Sequence, residues 1–166
     1  MQRIAVFPGT FDPITIGHVD IINRSLGLFD KVVIGIGRNV NKLPMFSEEQ
    51  RITWLKEIYK NNPRVEAVLY DGLTIKCCQQ VGAHYIIRGI RYVNDFEYEK
   101  AIADMNRSLD FHIETVFLTC LPQYTSVAST LVRDVIRNGG DVTPFLPEVV
   151  AESLKKLKAE SVKRKA

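Results

Sequence analysis

Cysteine is scarce in this 166-residue chain, with only Cys77, Cys78 and Cys120. An odd, small number excludes a disulfide framework and fits a reducing compartment. Cys77 and Cys78 are adjacent, which is not zinc-knuckle spacing. Their apolar flanks, Leu73, Ile75 and Val81, suggest a partly buried helix, so no metal site is expected there. Long hydrophobic runs are missing too. Without 18 consecutive apolar residues no transmembrane helix is expected. The start, Met1-Gln2-Arg3-Ile4-Ala5-Val6, lacks the apolar core and cleavage site of a signal peptide. A cytoplasmic protein with no membrane partner is expected.

Neither charge sign dominates. Against 19 acidic residues stand 22 basic ones, for a net +3. Residues 155–166 hold six basic residues and one acid, which leaves residues 1–154 at −2. A nucleic-acid binder carries its basic face on the folded part, so no nucleic-acid partner is expected. The tail reads as a solvated helix end. Repeats, low-complexity stretches and linkers are absent as well. With 46% apolar and 25% charged residues the chain is globular, and its length suits one domain. The expected division is a domain at 1–158 and a basic tail at 159–166.

What is present is an alternation of strand and helix. Arg3–Pro8 is a short apolar run, followed by the Gly/Asp/Pro-rich loop Gly9–Gly17. Val19, Ile22 and Leu26 recur at helical spacing. Lys31–Gly37 reads as a buried strand and Asn39–Phe46, with Pro44, as a loop. Ser47 with Gln50 makes a capping box, opening a helix that turns Ile52, Leu55 and Ile58 inward. Val65–Tyr70 is a strand, and Leu73–Val81 a helix stopped by Gly82. Ala83–Ile87 is a strand, followed by the loop Arg88–Asn94 and a long helix over Asp95–Leu109. Glu114–Leu121 is the fifth strand, ended by Pro122. Ala128, Leu131, Val132, Val135 and Ile136 form one helical stripe that Asn138-Gly139-Gly140 ends. The last helix starts at Pro147, with Val150, Leu154 and Leu157 inward.

Five apolar strands joined by helices imply a parallel sheet covered on both faces. Right-handed crossovers make it a single-domain, doubly wound, Rossmann-like α/β fold with a C-terminal helix. If strand order reverses after strand 1, the order is 3-2-1-4-5. A crevice then opens where strands 1 and 4 part, at their C-terminal ends. The loops placed there are Pro8–His18 and Arg88–Arg91.

Those loops carry anion-binding chemistry. Gly9 lets the chain turn out of the strand, and Gly17 removes a side chain where the backbone enters a helix. A helix N-terminus suits a phosphate, and His18 and Thr10 add donors. The loop is neither G-x-G-x-x-G nor G-x-x-x-x-G-K-[ST], which excludes a dinucleotide Rossmann site and a P-loop. Arg88 and Arg91 straddle Gly89; they serve phosphate oxygens or salt bridges with Asp95, Glu97 or Glu99. Lys42 could reach the same crevice. The hydroxyls of Ser126–Thr130 cap a helix or hold a second phosphate. So many cationic groups suit a polyphosphate meeting a second phosphorylated substrate. Such transfer is mostly positioning and charge stabilisation. No Cys or Ser beside a His base is evident, so no covalent intermediate is indicated.

G-T-F-D-P-x-T-x-G-H at 9–18 and S-T-L-V-R at 129–133 resemble the two motifs of the nucleotidylyltransferase superfamily. The segment from Arg88 to Glu99 resembles the narrower RGxRxxxDFEYE signature of the bacterial phosphopantetheine adenylyltransferase family. Similarity extends to Lys42-x-Pro44-Met45-Phe46, Met105-Asn106-Arg107 and the segment from Gly140 to Pro147.

The resemblance implies adenylyl transfer from ATP to 4′-phosphopantetheine, by in-line attack, giving dephospho-coenzyme A and pyrophosphate. It implies Mg²⁺ with the nucleotide, coenzyme A as a product-like inhibitor, and a homohexamer. It assigns His18, Thr10, Lys42 and Arg91 to the reacting phosphates. Phe11, Gly89, Ile90, Arg91, Glu99 and the run Tyr124, Thr125, Ser126, Val127, Ala128, Ser129, Thr130 line the ATP site with Thr10 and His18. Lys42, Arg88, Thr10 and Thr74 meet the second substrate. Ala128 stands where many relatives have Ser. Rival readings are another small nucleotidylyltransferase, using nicotinate mononucleotide or glycerol phosphate, and a non-catalytic nucleotide sensor.

Overall fold

Strands buried on both faces have no polar side to show, and the two central strands follow that rule. In β1 (Ile4–Gly9) and β2 (Lys31–Gly37) the inner residues are buried without alternation. The computed structural model describes residues 2–38 and 43–163. The remaining elements are α1 (Ile16–Ser25), α2 (Glu48–Ile58), β3 (Val65–Tyr70), α3 (Thr74–Val81), β4 (Tyr85–Ile90), α4 (Val93–Leu109), β5 (Glu114–Thr119), α5 (Ser129–Arg137) and α6 (Glu148–Lys163). Short 3-10 turns at Pro122–Tyr124 and Thr143–Phe145 flank α5.

The five strands are all parallel, in the order β3-β2-β1-β4-β5. This is the doubly wound sheet expected from the alternation. Neighbouring residues on each strand feed opposite cores. Ala5, Phe7, Val32, Ile34, Ile36 and Ile87 face the larger one, with Ile21 and Ile22 of α1, Trp54 and Leu55 of α2, and Val150 and Leu154 of α6. Val6, Val33 and Ile86 face the smaller one, with Ile75, Cys77 and Cys78 of α3. The adjacent cysteines are thus core residues, and burial pushes the Cys78 thiol up to about 12.

Register opens the crevice. β1 matches β2 over six residue pairs, from Ile4 with Lys31 to Gly9 with Ile36. It matches β4 over only two, Ala5 with Tyr85 and Val6 with Ile86. From Phe7 onward the two strands separate, at the point where the chain reverses its winding direction.

Some local expectations are corrected. β4 runs on through Arg88, Gly89 and Ile90, so Arg88 projects from a strand rather than a loop. Its charge is matched by neighbours described below, which lets a basic residue stand in a sheet. Ser47 caps α2 by accepting from the Gln50 N–H at 3.2 Å, but the return bond of a capping box does not accompany it. Leu131 and Leu157 stand exposed at the edges of their helical stripes, while Val132, Val150 and Leu154 take the buried positions. Gly9 is not the turning residue. The left-handed residue is Phe11, with φ of 46°.

Gly9 is needed for another reason. A Cβ there would lie 3.0 Å from two carbons of the Phe11 ring. Gly9→Ala is therefore expected to displace that ring and cost about 1–3 kcal/mol of stability. Thermal unfolding of the variant measures it. An unchanged midpoint would mean that the ring has another place to go.

Candidate active site

The loop between β1 and α1 turns back over its own strand. The Phe11 ring lies edge-on to Phe7, at 5.5 Å, and to His18, at 5.2 Å. Thr15 caps α1, and the box is closed by an imidazole instead of a carboxylate. The Thr15 N–H donates to His18 Nδ1 at 3.0 Å, while the His18 N–H approaches Thr15 Oγ1 at 3.5 Å. Because Nδ1 accepts, the ring proton of neutral His18 is on Nε2. Burial, then the charges of Arg91 and Arg88, hold the His18 pKa down at about 4. At neutral pH His18 is an uncharged donor.

The arginines arrive from β4 and the residue following it. Arg88 grips Glu99 of α4 through Nε, at 2.6 Å, and through Nη2, while Nη1 donates to the Pro8 carbonyl at 2.8 Å. Arg91 Nε donates to Asp95 at 3.2 Å. Of the two roles open to these arginines in sequence, salt bridging is realised. The crevice has less net positive charge than its arginines suggest. Asp95 also receives the N–H of Arg91, at 3.2 Å.

Three adjoining cavities follow. The first, of about 450 Å³, is lined by Phe11, His18, Arg88, Gly89, Arg91, Glu99 and the segment Val127, Ala128, Ser129 and Thr130. The second, of about 370 Å³, holds Thr10, Thr74, Arg88 and Glu99. The Arg88–Glu99 pair is thus a wall shared by the two. In the second, the Thr74 hydroxyl lies 3.0 Å from the Tyr70 hydroxyl. The third, of about 470 Å³, shares Thr10 and Arg38 with the second and Ser129 and Thr130 with the first, and adds Arg51, Arg133 and Arg137.

The sequence expectations divide accordingly. Thr10 sits at the junction of the second and third cavities and does not line the first. Ile90, Tyr124, Thr125 and Ser126 line none of the three. Ile90 spends its carbonyl on the Cys120 N–H, at 2.8 Å. Lys42 lies outside the described residues. The hydroxyls after β5 do not cap α5. Its N-cap is Ala128, which forms no side-chain bond, and Ser129 instead donates to the Pro13 carbonyl at 2.8 Å. Among the described residues, the first N–H groups of α5 therefore have no side-chain cap beside the first cavity.

Sequence reading assigned no role to Asp12, Arg51 or Arg133. Asp12 is buried and accepts the N–H groups of Met45, at 2.8 Å, and Phe46, at 2.9 Å. Arg133 donates to the Asp12 carbonyl at 2.6 Å. Arg51 donates to the Thr10 carbonyl, also at 2.6 Å. Arg51 left a signal: it lies one helical turn before buried Leu55 and so interrupts an apolar stripe. Among the described residues, no group of three or more His, Cys, Asp or Glu side chains gathers as a metal site.

Comparison with known proteins adds an independent line. Residues 6–135 match the model of the cytidylyltransferase-like family. The chain is 51% identical over 149 residues to a phosphopantetheine adenylyltransferase of Flavobacterium psychrophilum, covering 90% of this chain and 98% of that one. It is 44% identical over 153 residues to the phosphopantetheine adenylyltransferase of Caldanaerobacter subterraneus, covering 92% and 96%. A solved structure of a candidate nicotinate-nucleotide adenylyltransferase from Vibrio parahaemolyticus superposes with a TM-score of 0.70 at 20% identity. That match spans 94% of this chain and 93% of the other, and is a likeness of fold.

The depressed His18 pKa has a sign that can be checked. Between pH 6.5 and about 4 the unfolded chain binds the His18 proton and the folded protein does not. The contribution to stability is complete above pH 6.5 and is lost as pH falls towards 4. NMR titration of the free protein should find His18 neutral with its proton on Nε2 down to about pH 5. His18→Asn should flatten the loss of stability over that window. A His18 that titrates near 6.5 would contradict the burial and charge effects described.

Proposed function

The chain belongs to the phosphopantetheine adenylyltransferases of the cytidylyltransferase-like family, and on that premise we propose that it reversibly transfers the adenylyl group of ATP to 4′-phosphopantetheine. The products are dephospho-coenzyme A and pyrophosphate, a step of coenzyme A synthesis. The observation that carries this reading is the pair of cavities sharing the Arg88–Glu99 wall at the parting of β1 and β4. One suits the nucleotide, the other the phosphorylated arm of the acceptor.

The chemistry is a direct displacement. A phosphate oxygen of the acceptor forms a bond to the α-phosphorus of ATP. The bond from that phosphorus to the bridging oxygen breaks, and pyrophosphate leaves with the electron pair. A phosphate monoester has its second pKa near ~6, so at pH 7 the nucleophile is largely dianionic and needs no strong base. The obstacle is repulsion, about 4 kcal/mol for two unit charges at 4 Å in a protein-like medium. In this reading His18 donates Nε2–H to charge that develops on the transferring phosphoryl group. Thr10, Lys42 and Arg91 complete the contacts to the reacting phosphates, and Lys42, Arg88 and Thr74 hold the acceptor. The N–H groups that open α5 supply a further anion site. Mg²⁺ would accompany ATP as part of the substrate and offset the charge of its phosphates.

The proposal extends to assembly and regulation. We read the protein as a homohexamer. In support, none of the 17 residues of α4 is buried, although Val93, Phe96, Met105 and Leu109 are exposed apolar side chains on it. Coenzyme A, product-like, would compete for the same two cavities. Among the described residues no helix is long and apolar enough to cross a membrane, and a cytoplasmic location belongs to the same reading.

Pyrophosphate release from ATP and Mg²⁺ tests the reaction, with 4′-phosphopantetheine, nicotinate mononucleotide and glycerol 3-phosphate as rival acceptors. Release is expected with phosphopantetheine alone. Folded protein that binds ATP yet releases nothing would be a sensor rather than an enzyme. His18→Ala should lower kcat by about 10²–10³ with little change in KM for ATP. A near-wild-type rate would remove His18 from the mechanism. Light scattering should give six protomer masses, and a charge in place of Met105 should lower that number.

A further inference from the structure

Arg51 is 4% exposed and forms no ion pair among the described residues. A guanidinium in that position is costly unless its donors are satisfied. An apolar residue would have continued the inward stripe of α2 at no such cost. The partners of Arg51 explain its presence. Nη1 donates to the Thr10 carbonyl at 2.6 Å, and Nε to the carbonyls of Phe46, at 3.1 Å, and Ser47, at 3.3 Å. These carbonyls belong to two segments, one after β1 and one leading into α2. Asp12 joins the same segments in the opposite sense, its two carboxylate oxygens taking the Met45 and Phe46 N–H groups. Phe46 is therefore held at both its N–H and its carbonyl, and its ring packs edge-on to Trp54 at 4.9 Å. The far side of the loop is tied to α5 by Arg133 on the Asp12 carbonyl and Ser129 on the Pro13 carbonyl.

We infer that Arg51, with Asp12 as its counterpart, is a positioning residue for the transfer: it holds the Thr10 main chain against the start of α2 and so sets where the phosphate contacts of the first loop stand. This rests on the reading of the crevice as an adenylyl-transfer site. The planar fork of arginine is what the role requires, because one side chain must reach acceptors on two segments at once. A lysine keeps the charge but ends in a single compact ammonium. Asp12 needs both of its oxygens, and an amide in its place offers one acceptor and one donor to two N–H groups.

The test is the pair Arg51→Lys and Asp12→Asn in the full chain. Misplacement of reacting groups by about an ångström costs up to ~10²-fold in rate. Each variant is expected to lose about ten- to a hundredfold in kcat while KM for ATP stays within about threefold. The double variant should be scarcely worse than the poorer single one, because the two residues act as one brace. Hydrogen exchange at the Met45 and Phe46 amides should quicken about tenfold in Arg51→Lys, with the centre of β2 unchanged. Should Arg51→Lys fail to fold, Asp12→Asn opens the same brace from its other end and carries the same kinetic readout. A variant with wild-type kcat, or with a loss confined to melting temperature, overturns the inference. A wild-type protein that releases no pyrophosphate overturns the reaction instead, and unchanged exchange at Met45 and Phe46 still counts against the brace alone.

Discussion

The separation of β1 from β4 after two residue pairs is the constraint on which the rest depends. Up to Val6 the two strands share a ladder, and the sheet is a closed, buried surface. Beyond it the chain after β1 crosses to one face and the chain after β4 to the other. Main-chain groups freed there cannot stay buried and unpaired. They are met by side chains from later in the sequence: Arg88 on the Pro8 carbonyl, Arg51 on Thr10, Arg133 on Asp12 and Ser129 on Pro13. Four elements, α2, β4, α5 and the first loop, are thereby fixed relative to one another around an open crevice.

The electrostatics of that crevice are restrained. Its arginines at 88 and 91 are matched by acids of α4, and its histidine is neutral. A site full of bare cations would hold a polyphosphate tightly in both its reactant and product forms, and uniform binding of that kind does not speed a reaction. Paired arginines offer an alternative. In the proposed reaction an incoming phosphate would compete with Glu99 or Asp95 for a guanidinium that is already oriented. Because both acids sit on α4, the helix with the exposed apolar residues, occupancy of the crevice and the packing of that helix meet at the same side chains.

Much of this was legible in the chain. The unbroken apolar runs of β1 and β2 require a sheet covered twice, and the order 3-2-1-4-5 follows on the condition, met in the structure, that the chain reverses after its first strand. The loops at the switch point therefore follow from the fold pattern without any motif. His18, Arg88 and Arg91, which a helix start and a glycine between arginines mark in the sequence, all line the first cavity. Thr74 and Arg88 do line the second cavity. The failures have a common cause. Arg88 reads as a loop residue in sequence because the partners that let it stand in a strand, Glu99 and Pro8, are 11 and 80 residues away. Gly9 reads in sequence as the turning residue, but Phe11 takes the left-handed conformation and Gly9 makes room for its ring, a contact that leaves no mark in sequence. The hydroxyl of Ser129 reads in sequence as a helix cap or a phosphate contact, whereas its acceptor lies 116 residues earlier.

By itself the sequence determined the class of fold, the end of the sheet where the crevice opens, and the family to which the chain belongs. Those follow from periodicity and from motifs, which are properties of neighbouring residues. Only the tertiary structure decided that His18 is an uncharged Nε2–H donor and that the arginines are engaged by α4. It alone revealed the binding of the first loop by Asp12, Arg51, Arg133 and Ser129. Each of these depends on burial or on a bond between groups distant along the chain. A pKa or a hydrogen-bond partner is set by what surrounds a side chain in space, and the strand crossing that brings those surroundings together is completed only when the sheet closes over both cores.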